Sequence, residues 1–321
     1  MANAQPVGWA DTMAVGKKDD TQRRFMLGNS DLPVTPTGTV FNAADILSQN
    51  NHRKYDQEYQ YMINVHLEGS APVGTQFDVY TIRDTWMTRQ AYALARAVYN
   101  ENTKEELAMM EPKMRAKWGG FRVALGLTGY NYGCSMQPIE NTVGQPLLGQ
   151  WSPLTAGEFY NSEVTAAGGQ ATFKWIGDSL PTEFNMIEQL DLATNSIPSP
   201  STVNTTIPYD GVEVDVSTSS ATYEHLQQDG NLPPYSRDSM ETSLLVKVGT
   251  IFKDASGSQK LSTGYFPATN GWFVVVGYAP DVDAENIVSL EVKKGTHNGV
   301  ACEQLVSPED IKRWEARLNG Q

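Results

Sequence analysis

The spacing of hydrophobic and polar residues divides this chain into strands and a few helices. Tyr59, Tyr61, Ile63, Val65 and Leu67 alternate with Glu58, Gln60, Met62, Asn64, His66 and Glu68, the period of two of a half-buried strand. After a Gly/Pro turn, residues 75–83 should pair back on it. The most organised stretch is 243–305, five short runs cut by turn residues. Leu244, Val246, Val248, Thr250 and Phe252 share one expected face, with Leu245, Lys247, Gly249 and Ile251 on the other. Residues 253–258 turn the chain into 260–266. Asn270-Gly271, suited to the positive φ angles of a type I′ hairpin, precedes 272–278. Residues 287–293 alternate again, and Gly295 to Gly299 leads into 300–305. Short runs with turns at this spacing predict an antiparallel sandwich or barrel.

The period changes only locally. Met87, Ala91, Leu94, Ala95 and Val98 recur at helical spacing behind Asp84-Thr85, a helix start. Asn100 to Asn102 should interrupt this helix. Thr103 and Glu106 read as a capping box for a second, carrying Leu107, Met110, Met114 and Trp118, which Pro112 ends or kinks. Residues 121–127 return to strand, 128–156 form a long Gly/Pro/Asn loop, and 158–165 with 170–176 make a hairpin around Gly168-Gly169. Residues 184–192 fit strand better than helix. Ser307-Pro308-Glu309-Asp310 opens a closing helix with Ile311, Trp314 and Leu318 on one stripe.

These elements predict a mainly β chain with inserted helices and a short C-terminal helix. Residues 1–35, polar and without period, form an extended arm; 36–193 make a first β unit with a helical insertion at 85–118. The Ser/Thr/Pro-rich stretch 194–208 is a linker, 209–306 a second β unit, and 307–321 the terminal helix.

Charge and composition narrow the function. A chain of 321 residues with 40% hydrophobic and 10% aromatic residues can pack extensive cores. Its net charge of −13 argues against broad nucleic-acid binding, leaving only local basic patches for it. The N-terminus shows no secretory signal, and no run approaches the ~18 apolar residues of a membrane span, so a soluble cytoplasmic product is expected. Cys134 and Cys302 are too few for a disulfide framework and read as reduced, partly buried thiols.

No phosphate loop, dinucleotide fingerprint, zinc-protease motif or nucleophile elbow is present, and His52, His66, His225 and His297 lack metal-ligand spacing. His66, on the polar face of its strand, reads as solvated. The expectation is a protein that is not an enzyme and has no cofactor or small-molecule substrate. Asp281, Asp283 and Glu285 place three carboxylates at alternate positions, a calcium candidate that lacks the Gly and distal Glu of an EF-hand loop; the simpler reading is a solvated acidic turn. Charge and position single out Lys17, Lys18, Arg23 and Arg24 in the arm, Lys113, Arg115 and Lys117 on the basic helical face, and Trp314 in the closing helix as assembly candidates.

Several stretches carry a resemblance. Leu261-Ser262-Thr263-Gly264-Tyr265-Phe266-Pro267-Ala268, Gly271-Trp272-Phe273-Val274-Val275-Val276-Gly277 and Lys294-Gly295-Thr296-His297-Asn298-Gly299-Val300 resemble the C-terminal strands of major capsid proteins from small tailless icosahedral bacteriophages. The block from Asp84-Thr85-Trp86-Met87 to Trp118-Gly119-Gly120-Phe121-Arg122-Val123 is similar to the same group, which includes single-stranded-DNA phages such as the lipid-containing Flavobacterium type. The resemblance implies a double jelly roll of two β-barrels, with homotrimers forming pseudo-hexameric capsomers of an icosahedral shell. It also implies a virion location after assembly in a host cytoplasm. Expected partners are other copies, virion proteins at the vertices, and a genome or internal membrane met through the arm. The alternatives are a carbohydrate-binding or carbohydrate-active β-sandwich and a virion spike or receptor-binding protein.

Overall fold

A computed structural model describes residues 21–27, 38–68, 71–118, 120–126, 131–132, 136–138, 161–166, 169–178, 180, 182–195, 237–278 and 288–319. From the N-terminus the elements are β1 (Arg24–Leu27), β2 (Gly38–Asn42), α1 (Ala43–Asn51), β3 (Tyr59–Leu67), β4 (Gln76–Ile82), α2 (Trp86–Met109) and α3 (Pro112–Trp118). Next come β5 (Asn131–Tyr132), β6 (Met136–Pro138), β7 (Glu163–Ala166), β8 (Gly169–Lys174), β9 (Glu183–Asn185), α4 (Met186–Asn195) and α5 (Arg237–Thr242). The chain closes with β10 (Leu245–Lys253), β11 (Gln259–Lys260), β12 (Phe266–Ala268), β13 (Trp272–Tyr278), β14 (Val288–Val292), β15 (Lys294–His297), β16 (Cys302–Gln304) and α6 (Pro308–Leu318).

Two antiparallel sheets face each other. One runs β12-β3-β14-β1-β6, with β16 also paired to β3; the other runs β11-β10-β4-β13-β2-β5, its β2–β5 edge contact being parallel. The main ladders are nested: β1 pairs with β14, β2 with β13, β3 with β12 and β4 with β10. That is the pattern of one long hairpin folded over on itself, with residues 83–244 inserted at its tip. β3 and β4, from the N-terminal half, therefore bond to β10, β12, β13 and β14 from beyond the predicted linker. The expected division into separate β units at 36–193 and 209–306 does not describe these sheets, and no closed barrel is present among the described residues. Alternation tells a strand which face is buried but not which strand it pairs with, so proximity in sequence was a poor guide to pairing. Most of the linker itself lies outside the described residues.

The space between the sheets is filled by Phe25, Phe41, Tyr61, Ile63, Phe77 and Phe273, all fully buried, with the Phe41 and Phe273 rings stacked at 5.3 Å. The opposite face of the second sheet, carrying Val40, Ile82, Trp272 and Val274, is covered by an outer layer of α2, α4, α6 and the small sheet β7-β8-β9. Tyr92, Phe121, Phe173 and Trp175 knit that layer together. The β7–β8 hairpin forms where Gly168-Gly169 placed it.

Several expectations need correcting. Residues 24–27 are not part of a free arm: they form β1, in register with β14 (Arg24 opposite Glu291). The strict alternation of β10 breaks at a bulge between Lys247 and Gly249, so Val248 and Ile251, expected on opposite faces, both pack into the core between the sheets. Asn270 and Gly271 do take positive φ (54° and 77°), but they do not close a hairpin between paired strands. They carry the chain from β12 in the first sheet to β13 in the second.

α2 is a single helix of 24 residues. Thr85 and Thr88 cap it reciprocally, with Arg89 bidentate on Asp84 at 2.7 and 2.8 Å. Asn100 to Asn102 do not interrupt it, because the Thr103 hydroxyl donates back to the Tyr99 carbonyl at 2.8 Å instead of capping a new helix. Pro112 opens α3, as a residue with fixed φ and no N–H does best at a first turn. Residues 184–192 are mostly helix: the Asn185 carboxamide oxygen accepts from the Ile187 and Glu188 amides, both at 3.1 Å, and so starts α4. Of the stretch 121–127 the described residues, 121–126, form no full strand, although Ala124 bridges to Lys174 on β8.

One half-buried carboxyl, with a single oxygen sealed from water, gives a pH-dependent prediction. Asp45, in the first turn of α1, accepts a 3.4 Å hydrogen bond from Gln57 and lies 4.0 Å from the Arg122 guanidinium, while its Oδ1 is sealed from water without a hydrogen-bond partner. Burial pushes its pKa up, against the opposing pull of Arg122 and Gln57. A carboxyl with a raised folded pKa favours the fold below its unfolded value, near ~4, and costs stability as pH rises through the folded one. Asp45→Asn should therefore stabilise the chain at pH 7 by about 1 kcal/mol. In urea titrations the gain should vanish near pH 3.5; a gain equal at both pH values would show that the charge is not its source.

Candidate functional site

Fold and charge combine at the edge of the first sheet. The backbone entering β1 brings Arg23 and Arg24 beside Lys293 and Lys294, which follow β14. Together with Thr21, Gln22, Tyr265, Glu291 and Val292 they line an open cleft of about 630 Å³. Four cations and one carboxylate thus meet in a chain whose overall charge is −13.

The cleft walls are fixed by hydrogen bonds to one tight turn. Asn298 and Gly299 take left-handed φ angles of 52° and 87°. The Asn298 carbonyl accepts from the Tyr55 hydroxyl at 2.8 Å and from Thr21 at 3.3 Å; the Gly299 carbonyl accepts from Arg23 at 3.3 Å, and Arg53 donates to the Asn298 side chain. Gly295 has no room for a side chain, since a Cβ there would sit 2.4 Å from Ala301 Cα.

The one acid in the cleft is already engaged. Glu291 accepts from His66 at 2.9 Å. Burial works against its charge, but hydrogen bonds from His66 and Tyr265, with Arg24 nearby, hold its carboxyl below the usual carboxylate range. Burial and then Glu291 push the Tyr265 hydroxyl up, so it stays protonated as the donor. His66 is consequently not the freely solvated residue its strand face implied. Arg24 also reaches Glu68 at 3.0 Å. Lys293 places its ammonium 5.7 Å from the centroid of the Tyr265 ring, which is 43% exposed.

A second surface projects from the other layer. Beyond residue 100, α2 leaves the core and with α3 forms an exposed tip carrying Met109 (86% exposed), Met110 and Met114. Glu105, Glu106 and Glu111 lie among Lys104, Lys113 and Arg115 there, all exposed.

The predicted site residues scatter. Arg23 and Arg24 belong to the cleft, Lys113 and Arg115 to the tip, and Lys117 to the same helix as those two. Lys17, Lys18, Asp281, Asp283 and Glu285 lie outside the described residues, as do Cys134 and His225. Trp314 is not at an open interface: it is 5% exposed, buried within its own chain against α2, and its indole N–H donates to Gln90 at 3.0 Å. Cys302 is half-buried with its thiol pushed up to about 11 by burial, which keeps it protonated and unreactive. Lys293, Lys294 and Tyr265 were not anticipated. Their only signal was a Lys doublet ending an alternating run, and nothing in the sequence linked it to Arg23-Arg24.

No group of three or more His, Cys, Asp or Glu side chains suited to a metal ion occurs among the described residues, and no described helix is long and apolar enough to cross a membrane. Comparison with protein-family models, with curated proteins and with solved structures finds no match.

Proposed function

We propose that this chain is a structural virion protein, the major capsid protein of an icosahedral shell, and that its eight principal strands form one jelly roll. The observation that carries this reading is the strand order. Taking β1, β2, β3, β4, β10, β12, β13 and β14 as first to eighth, one sheet runs 1-8-3-6 and the other 2-7-4-5. That is the two-Greek-key arrangement recurrent in viral capsid domains, and also in lectins and cupins. Because a fold shared so widely does not fix a function, the site has to separate these readings. Large aromatics fill the space between the sheets where a cupin holds its ligand, and the described residues present a basic cleft and an apolar tip with charges of both signs.

On this reading the sheets make a single jelly roll, with residues 83–244 inserted between its fourth and fifth strands, in place of the double one the resemblance implies. This changes the assembly arithmetic. A trimer makes a pseudo-hexamer only when each chain brings two jelly rolls, so chains with one jelly roll are expected to gather as rings of five or six. The tip suits contact with a second copy: its methionines carry none of the chain's own core, and its mixed charges are self-complementary.

The test is the mass distribution of purified protein across salt and calcium, by light scattering with electron microscopy of large species. Pentamers, hexamers or closed shells are the expected result. A strictly monomeric protein under every condition, stabilised by a sugar, would replace this reading with the lectin one. The double variant Met109→Asp/Met114→Asp should leave the stability within about 0.5 kcal/mol of wild type, as exposed substitutions do, while abolishing large species. Unchanged assembly would remove the tip from the interface.

A further inference from the structure

From the cleft between β1 and β14 we infer a binding site for the phosphodiester backbone of single-stranded nucleic acid, with Tyr265 as the stacking platform for one base. The cleft would carry its ligand whether or not the chain builds a shell.

Charge is the first argument. Arg23, Arg24, Lys293 and Lys294 against Glu291 leave the lining three positive charges in excess, and two once Glu68, ion-paired with Arg24, is counted, on a chain that is otherwise strongly acidic. Such a local reversal focuses anions into the cleft while the rest of the surface repels them. The cations are also well placed by the fold. Arg23 is tied to the Gly299 carbonyl, Arg24 sits opposite Glu291 in the ladder, and the lysines directly follow β14. Arginines in fixed positions present their donors to phosphate oxygens with little further loss of freedom.

The aromatic ring decides between polyanions. Tyr265 keeps 43% of its surface exposed although its hydroxyl is committed to Glu291, so the ring is held at a set angle beside Lys293. A duplex keeps its bases stacked inside and offers phosphates alone. A single strand has bases free to stack on such a ring, and cationic grooves with exposed aromatics are how single strands are held without sequence preference. An anionic membrane would need apolar side chains to insert beside the cations. The lining offers none, because Val292 is buried and Tyr265 is anchored by its hydroxyl.

The experiment is fluorescence anisotropy on unassembled full-length protein. The probes are a labelled oligothymidylate, a duplex of equal length, and, by co-sedimentation, phosphatidylserine vesicles. The single strand should bind in the micromolar range, and log affinity should fall against log salt with a slope of about −2 to −3 for three or four phosphate contacts at ~0.7 each. Lys293→Glu/Lys294→Glu should weaken binding at least tenfold and flatten the slope. Tyr265→Ala should weaken it about tenfold with the slope unchanged, while Tyr265→Phe keeps most of the affinity. Thermal melts of each variant establish that the fold is intact. Single-strand affinity indifferent to these variants would place binding elsewhere and overturn the inference. So would a duplex bound equally well with no effect of Tyr265→Ala, vesicle binding in place of oligonucleotide binding, or no binding at all. Because the unassembled chain is used, a failure to form shells leaves each of these outcomes readable.

Discussion

Trp314→Ala should lower stability by about 3–5 kcal/mol, the range for losing a large buried aromatic. The indole is 5% exposed and lies with Leu305, Val306, Ile311 and Leu318 in the core beneath the outer layer. Its N–H is satisfied by Gln90 of α2, and the Arg317 guanidinium sits 4.8 Å from the ring centroid. A second tie between the two helices runs from Asn100 to Glu315 at 2.8 Å. Removing the ring leaves a cavity and the Gln90 oxygen without its donor, and both effects destabilise. Urea denaturation at two protein concentrations checks the result. A loss of the expected size at both concentrations places the role of Trp314 within its own fold, whereas a loss that appears only where copies associate would return it to an interface.

The second large effect is expected at Gly271, where the chain crosses between the sheets. Gly271 has φ +77°, and a Cβ there would lie 2.8 Å from Asn42 Oδ1 and 2.9 Å from the Ala44 amide nitrogen. That oxygen is the N-cap of α1, accepting from Ala44 at 2.9 Å and Asp45 at 3.2 Å, while the Asn42 amide donates to the Asn270 carbonyl at 3.1 Å. Gly271→Ala thus adds a left-handed backbone penalty to the loss of a helix cap, about 2–4 kcal/mol together. Gly257 provides the control. It has φ +86°, but a Cβ there would meet nothing within 4 Å, so Gly257→Ala should cost only the backbone share, about 1 kcal/mol. Equal losses at the two glycines in urea titrations would mean that the Asn42 contact contributes nothing.

Much of the local structure was readable from residue spacing. The alternation of Tyr59 to Leu67 marked the buried face of β3 correctly, since Tyr61, Ile63 and Val65 are fully buried. Asp84-Thr85 and Ser307-Pro308 marked the helix starts, because N-caps work through side chains within a few residues of the amides they satisfy. The helix start at Asn185 follows the same rule, its carboxamide oxygen accepting from the Ile187 and Glu188 amides, but it stood inside a run read as strand. The bulge in β10 was not legible: one extra residue reverses the inward face without leaving a compositional mark.

The candidate site was half legible. Arg23-Arg24 stood out by charge, but assigning them to an arm separated them from their partners. Lys293-Lys294 and Tyr265 become neighbours of Arg23 and Arg24 only through the β1–β14 ladder, which joins the two ends of the folded hairpin.

By itself, then, the sequence determined many of the elements, the buried face of β3 and the caps at Thr85 and Ser307, because those depend on interactions spanning a few residues. Only the tertiary structure decided the nested strand order, the self-docking of Trp314 and the convergence of four cations on one cleft. Those depend on pairing between distant segments, which hydrophobic patterning constrains by face but leaves open by partner.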